Sequence, residues 1–232
     1  MNLIPIGNVI LMFKSNSLHD HMWAKYSVKV TKPEDISTLS KLYKFVIVRH
    51  PFERLVSAFH DKFIITKQIN LMEPFIDYYL GLKGINKPKT LRQSWINEYV
   101  DVSFKTFVDF VLHEYSLSAK ISGPSGHWWP FTDMCKLCEL EFNYVGKLET
   151  LEQDVDCILD TFPEYELLHR MKERIKVKVN SSGHHNKNMT MDYFSQLSRE
   201  IIIELYNMYD ADFALGGYEY PHKYIDVGRL DR

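Results

Sequence analysis

An arginine and a serine eight positions apart carry the clearest chemistry in this sequence. Arg49 directly follows an apolar run, 45–48, that predicts a short buried strand, and Pro51 suits the first turn of a helix. A strand-to-helix turn offers an anion free backbone N–H groups and the positive end of a helix dipole. Arginine adds a forked charged donor, and serine adds a hydroxyl. We therefore expect Arg49 and Ser57 to bind one phosphate group.

The segment after Pro51 has the pattern of a helix with two distinct faces. Helical spacing places Arg54, Ser57 and Asp61 on one face. Arg54 has two interpretations, either a second contact to the phosphate or an ion pair with Glu53 or Asp61 on the helix surface. The apolar residues that share the other face are Phe52, Leu55, Val56, Phe59 and Phe63.

The fifteen residues from Arg49 to Phe63 resemble the 3′-phosphate-binding motif of the Golgi carbohydrate sulfotransferases. That family contains the chondroitin 4-O-, dermatan and HNK-1 enzymes. His50 departs from its pattern, because the family usually has an acidic residue at this position. The resemblance implies that Arg49 and Ser57, and Arg54 in its first interpretation, hold the 3′-phosphate of 3′-phosphoadenosine-5′-phosphosulfate (PAPS).

Later segments are similar to the same family in their order along the chain. They are His127 to Pro130, the pair Cys135 and Cys138, Tyr144 to Asp154, and Leu205 to Phe213. The resemblance covers roughly residues 20–225, which is too much to arise by chance. It implies transfer of a sulfuryl group from PAPS to a glycan or glycosaminoglycan hydroxyl, on the lumenal side of the Golgi membrane.

Such a transfer needs a base for the attacking hydroxyl, and His127 is the candidate because imidazole exchanges a proton near neutral pH. The alternative for His127 is a hydrogen-bonded loop histidine beside Trp128. Lys147 and Glu149 either support the site residues or contact the acceptor, or they form a simple ion pair at the end of a strand. We expect His60 to be an exposed helix residue.

One part of the family's donor site is missing from the sequence. The family has an upstream loop whose lysine and backbone amides hold the 5′-phosphosulfate. Residues 8–16 contain an apolar stretch leading to Lys14, without the loop's proline and small residues. The sequence is therefore either N-terminally truncated or that of a relative that has lost the reacting half of the site. The second case gives the alternative function, an inactive relative that binds the adenosine 3′-phosphate group or a glycan. We expect little transfer by residues 1–232 alone.

Helices and strands alternate along the chain, which predicts an α/β domain with a parallel sheet. The resemblance implies the P-loop-like sulfotransferase fold, with helices flanking the sheet and the first strand and phosphosulfate loop missing or degenerate. We expect one partial domain over residues 1–232. The predicted elements are a helix from Thr31 toward Leu42, a strand at 44–48, a helix at 51–63, an insertion with some helix at 64–102, a Ser103-capped helix, a strand at 142–146 and a Thr190-capped helix. The last helix is predicted to bury Phe194, Leu197, Ile201, Leu205 and Met208.

Composition agrees with a globular chain. Hydrophobic residues make up 45% of its 232 residues, and the net charge is −2. This charge gives no reason to expect a nucleic-acid partner. Positive charge alternates along residues 170–178, which is either a solvated surface or a contact for an acidic glycan.

Three cysteines leave one without a partner inside the chain. Cys135 and Cys138 either form a structural disulfide, with each other or elsewhere in a longer parent chain, or remain buried thiols. Either pairing leaves Cys157 free. The adjacent His184 and His185 lack the spacing of zinc ligands, so no metal is expected.

No apolar run is long enough to span a bilayer, so a membrane association would use an N-terminal anchor that this sequence does not contain. Two glycosylation triplets begin at Asn180 and Asn188.

Overall fold

The computed structural model describes residues 2–6, 9–12, 28–29, 43–117, 126–135, 141–163, 169, 172–173 and 187–229. The chain forms two compact units. The sheet unit comprises Met1–His50, Phe131–His185 and Ala214–Tyr218. The helical unit comprises Pro51–Pro130, Asn186–Phe213 and Glu219–Arg232.

In the described part of the chain, the sheet unit contains five strands in the order β3-β1-β2-β4-β5. The strands β2, β4 and β5 are parallel, whereas β1 runs antiparallel to both β2 and β3. The predicted parallel sheet is therefore confirmed, and the antiparallel strands are an addition that the sequence did not predict. Their bounds are β1 Asn2–Ile6, β2 Val9–Met12, β3 Val28–Lys29, β4 Tyr43–Val48 and β5 Tyr144–Lys147.

The strand β4 confirms the predicted strand before Arg49. Its side chains Phe45, Val46 and Val48 are at most 5% exposed. In the parallel register Val48 lies opposite Lys147 at the carboxyl ends of β4 and β5. The residues that follow these two strands therefore lie at one edge of the sheet. The helices α5 (Phe131–Cys135) and α6 (Leu151–Thr161) also belong to this unit, and a short 3₁₀ helix, Leu148–Thr150, precedes α6.

The helical unit contains α1 Pro51–Phe59, α2 Ile69–Lys83, α3 Gln93–Tyr99, α4 Phe104–Leu117, α7 Lys187–Phe194, most of α8 Arg199–Leu215, and α9 His222–Val227. Its core is aromatic. Phe52 stacks on Phe194 with ring centroids 4.5 Å apart and meets Phe213 and Tyr224 edge-on. The aromatic side chains of four separate helices thus fix how this unit packs.

The helix predicted at 51–63 begins at Pro51, but its geometry changes after Phe59. A π-helix, His60–Ile65, follows α1. The predicted apolar face is confirmed, because Phe52, Leu55, Val56, Phe59 and Phe63 are all at most 2% exposed.

The cap predicted at Ser103 is confirmed at the start of α4. The Ser103 hydroxyl accepts a hydrogen bond from the backbone N–H of Thr106 at 3.3 Å. The segment 64–102 contains α2 and α3, which agrees with the expected helix there. Its status as an insertion stays a prediction.

The Thr190-capped helix is wrong in its bounds. Thr190 lies inside α7, and α7 ends at Phe194 before α8 begins at Arg199. Between them, Leu197 accepts a hydrogen bond from Arg229, whose carbonyl accepts one from Arg199. This long-range pairing interrupts the helix. After the break Ile202, not the predicted Ile201, is buried.

Several expectations fall outside the described residues. They concern the helix at 31–42, the segment around Lys14, the side chains of Cys135 and Cys138, the adjacent histidines, and most of the basic segment.

Candidate functional site

The two predicted phosphate ligands belong to different units. Arg49 directly follows β4 in the sheet unit, and its side chain is half-buried. Ser57 lies on α1 in the helical unit and is also half-buried. Their convergence on one phosphate stays a prediction.

The turn that carries Arg49 is attached to the end of β5 by Glu149. One carboxylate oxygen of Glu149 accepts a hydrogen bond from the backbone N–H of His50 at 2.7 Å. The other accepts one from the hydroxyl of Tyr218 at 3.0 Å. The rings of His50 and Tyr218 meet edge-on at 5.1 Å. Glu149 thus supports the turn after β4, and its role at the donor or acceptor site stays a prediction.

Lys147 also contacts Tyr218 at this edge of the sheet. Its ammonium donates a hydrogen bond to the carbonyl of Gly217 at 3.1 Å and lies 4.9 Å from the centre of the Tyr218 ring. Gly217 has φ +58°, a left-handed conformation that favours glycine. We call His50, Lys147, Glu149 and Tyr218 the sheet-edge cluster.

A second carboxylate holds the end of β5. Asp154 accepts hydrogen bonds from the Tyr144 hydroxyl at 2.8 Å, the Lys147 backbone N–H at 2.7 Å and the Thr150 hydroxyl at 2.7 Å. Burial, followed by the hydrogen bond to Asp154, raises the pKa of Tyr144. Tyr144 therefore remains a protonated donor at neutral pH.

In the helical unit, Arg54 is engaged by buried groups. Its Nη2 atom donates to the carbonyl of Trp129 at 2.7 Å and lies 3.3 Å from a carboxylate oxygen of Asp212. The Asp212 side chain is fully buried, and that of Arg54 is 15% exposed. The guanidinium also lies 5.7 Å from the centre of the Tyr209 ring. The ion pair of Arg54 is therefore an internal one.

Trp128, which precedes Trp129, is also held by hydrogen bonds. The Tyr209 hydroxyl donates to the carbonyl of Trp128, and the Trp128 indole donates to Glu114 at 3.0 Å. Burial is the main cause that raises the pKa of Tyr209, so its hydroxyl stays protonated at neutral pH. Arg54, Trp129, Tyr209 and Asp212 are named the arginine cluster here.

His127 precedes the two carbonyl groups that the arginine cluster binds. It is half-buried, and its ring centre lies 6.4 Å from that of Trp128. The arrangement places the candidate base on a braced segment. Tyr209 and Asp212 were missed as contributors, although their spacing of three residues puts them on one face of α8.

The structure also describes other residues that the sequence singled out. His60 is half-buried and hydrogen-bonded to the Tyr193 hydroxyl at 3.3 Å, so its predicted exposure is wrong. Lys172, from the basic segment, pairs with Asp156. Cys157 is an exposed free cysteine. Thr190, in the glycosylation triplet at Asn188, is only 6% exposed.

Within the part of the chain that the structure describes, no three or more His, Cys, Asp or Glu side chains are grouped as metal ligands would be. Among the same residues, no helix has both the length and the apolar composition of a membrane span.

Comparison with known proteins identifies the family to which the chain is similar. The model described as "Sulfotransferase family" matches residues 10–220. Carbohydrate sulfotransferase 10 of Xenopus laevis is 32% identical over 187 residues, which cover 79% of this chain and 49% of that protein. Carbohydrate sulfotransferase 11 of Mus musculus is 30% identical over 199 residues, with coverages of 82% and 51%. Carbohydrate sulfotransferase 12 of Mus musculus is 28% identical over 190 residues, with coverages of 81% and 42%. The chain thus spans about half the length of the curated relatives it matches, and no solved structure matches it.

Proposed function

Because this chain belongs to the sulfotransferase family, we propose that it transfers a sulfuryl group from PAPS to a carbohydrate hydroxyl. In this reaction the bond from sulfur to the 5′-phosphate oxygen breaks, and a bond from sulfur to the acceptor oxygen forms. The hydroxyl proton passes to a base, and adenosine 3′,5′-bisphosphate leaves. The printed names of the matched relatives support a carbohydrate acceptor, and a glycan or glycosaminoglycan in the Golgi lumen is the proposed one.

Arg49 and Ser57 are the proposed ligands of the 3′-phosphate. The observation that carries this assignment is the turn after β4, where Glu149 binds the residue next to Arg49. A half-buried arginine on a braced turn loses little conformational freedom when it binds an anion. The phosphate they hold is not transferred, so these residues position the donor.

His127 is the proposed base for the acceptor hydroxyl. Its support is the segment on which it lies, since hydrogen bonds to the carbonyls of Trp128 and Trp129 fix the residues that follow it. A base must be held within hydrogen-bond reach of the proton it takes.

A second candidate function is binding without transfer. It is favoured by residues 8–16, which lack the proline and small residues of the family's phosphosulfate loop. Without the backbone amides that such a loop directs at the phosphosulfate, the leaving phosphate would develop charge with little stabilisation.

Calorimetry with adenosine 3′,5′-bisphosphate tests the phosphate ligands. Arg49→Ala should weaken binding by about tenfold to a hundredfold, because a charge-assisted hydrogen bond is worth about 1.5–3 kcal/mol. Ser57→Ala should weaken it by about tenfold. Arg92→Ala, which removes an exposed arginine, is the matched control and should bind normally. Equal affinities for the Arg49 variant and the control would contradict the assignment.

An assay of labelled sulfate separates the two functions. Transfer from PAPS to a chondroitin-type acceptor supports the enzyme. Binding of the bisphosphate without any transfer supports the second candidate.

A further inference from the structure

The arginine cluster joins three segments that are far apart in the sequence. Arg54 comes from α1, Trp129 from the segment after His127, and Asp212 with Tyr209 from α8. All four residues belong to the helical unit. Their contacts therefore bear directly on whether Arg54 binds a phosphate, which is the role that the motif implies for it.

The ion pair opposes a role for Arg54 at the phosphate. The Asp212 carboxylate is fully buried and lies 3.3 Å from the Arg54 guanidinium. If Arg54 turned toward a phosphate, the interior would keep this carboxylate without that cation. Separating a buried ion pair is strongly unfavourable, so the Nη2 atom of Arg54 stays with Asp212 and with the carbonyl of Trp129, which fixes the direction of the guanidinium.

The same contacts fix the chain that follows His127. Arg54 binds the carbonyl of Trp129, and Tyr209 binds the carbonyl of Trp128. Trp128 is also held through its indole, which donates to Glu114. Two successive peptide groups and one ring are therefore oriented by buried or partly buried donors and acceptors, which leaves His127 at the edge of an immobilised segment.

We propose that Arg54 is a positioning residue, which together with Tyr209 and Asp212 holds the segment of His127, and that it does not bind the 3′-phosphate. The importance of His127 itself rests on the proposed function. The orientation of its segment and the absence of a phosphate contact by Arg54 can both be measured without activity.

The test compares Arg54→Lys, Arg54→Met and the double variant Arg54→Met/Asp212→Leu. The double variant removes both charges, so it guards against a single variant that fails to fold. Arg199→Met is the matched control, because Arg199 also donates to backbone carbonyls, those of Asp226 and Gly228.

Two measurements separate the roles of Arg54. The first is the ratio of the affinities for adenosine 3′,5′-bisphosphate and adenosine 5′-monophosphate, which isolates the contribution of the 3′-phosphate. The second is nuclear magnetic resonance of the protein labelled with 5-fluorotryptophan, together with the imidazole resonances of His127. The fluorine signals of Trp128 and Trp129 are assigned by their replacement with phenylalanine.

For a positioning residue, every Arg54 variant keeps the affinity ratio within about twofold of the unmodified chain. The signals of Trp128, Trp129 and His127 shift or broaden in Arg54→Met, shift less in Arg54→Lys, and stay unchanged in Arg199→Met. A loss of about tenfold in the ratio for the Arg54 variants would instead make Arg54 a phosphate ligand and overturn the proposal. Unchanged signals of Trp129 and His127 would also overturn it.

The proposed function fails by a different result. If Arg49→Ala leaves the affinity ratio unchanged, or if the unmodified chain does not prefer the bisphosphate, the phosphate site is wrong. Neither result alters the meaning of the fluorine and imidazole signals.

Discussion

A methyl group at position 146 would enter a space that two neighbouring side chains already fill. A Cβ built on Gly146 lies 2.6 Å from Cδ1 of Ile47 and 3.0 Å from Cβ of Asp154. The first contact involves the far end of a flexible side chain, but the second involves an atom next to the backbone. Gly146→Ala must therefore displace Ile47 and press on α6 through Asp154.

The expected cost follows from two opposing effects. Overpacking of a filled core commonly costs about 1–3 kcal/mol. Alanine restricts the unfolded chain more than glycine does, which returns about 0.4–1 kcal/mol. We expect Gly146→Ala to lower the free energy of unfolding by about 1–2 kcal/mol, with overpacking as the larger effect. A shift of Asp154 would also lengthen its 2.7 Å hydrogen bond to the Lys147 backbone.

Urea unfolding monitored by circular dichroism measures this change. Ile47→Val removes the Cδ1 atom, so the effect of Gly146→Ala should be smaller in that background. The matched control is Gly81→Ala in α2, where a Cβ meets nothing within 4 Å. Alanine at this helical position should stabilise the protein by about 0.5–1 kcal/mol.

Two results would refute this reasoning. One is a Gly146→Ala variant as stable as Gly81→Ala. The other is an equal cost of Gly146→Ala with isoleucine or valine at position 47, which would show that Cδ1 of Ile47 is not the obstacle.

Three further predictions concern polar side chains that make hydrogen bonds or ion pairs. Asp212→Asn should lower the free energy of unfolding in urea by about 3–5 kcal/mol, because it breaks a buried ion pair. Asp210→Asn, at an exposed position, should change it little, and equal losses in the two variants would contradict an internal ion pair. Burial raises the pKa of Tyr209 from 10.0, so the stability that this side chain contributes is complete below pH 10 and falls above it. The free energy of unfolding should therefore decrease less between pH 9 and 11 in Tyr209→Phe than in the unmodified chain. The same decrease in both proteins would count against this. Glu149→Ala removes the acceptor of the His50 N–H and should weaken bisphosphate binding, whereas Glu149→Gln keeps a carbonyl acceptor and should retain most of the affinity. Equal affinities of the two variants in calorimetry would show that this hydrogen bond does not support the phosphate site.

Local patterns in the sequence predicted the elements around Arg49. The strand before Arg49, the helix start at Pro51 and the Ser103 cap depend on neighbouring residues alone, namely an apolar run, a fixed φ and a side-chain acceptor. Such features are visible in a window of ten or fifteen residues. The structure therefore agrees with the sequence prediction for elements that do not depend on a residue far away in the chain.

The predictions that went wrong depended on distant partners. Apolar residues at helical spacing continue through Phe194, Leu197 and Leu205, so periodicity alone predicts one helix. The break occurs because the backbone of residues 197–199 pairs with Arg229, thirty residues further on. Periodicity reports which residues are buried, but it does not report whether the backbone between them remains helical.

The sequence identified the segments of the candidate site better than the direction of their side chains. Glu149 and Arg54 both lie in motifs, and the contacts of each depend on a residue from elsewhere in the chain, Tyr218 for Glu149 and Asp212 for Arg54. No spacing within either motif contains that information.

A motif match by itself does not separate ligand-binding residues from residues that support them. Arg49 and Arg54 lie five positions apart in one motif and have the same side chain. Arg54 faces a fully buried carboxylate inside the helical unit, and turning its guanidinium toward a phosphate would separate that ion pair. Arg49 follows a strand whose next residue is braced by Glu149, which leaves the turn in place for a ligand. The nucleotide assignment therefore depends on Arg49 and Ser57, and a variant of Arg54 that lost activity would not by itself identify a phosphate ligand.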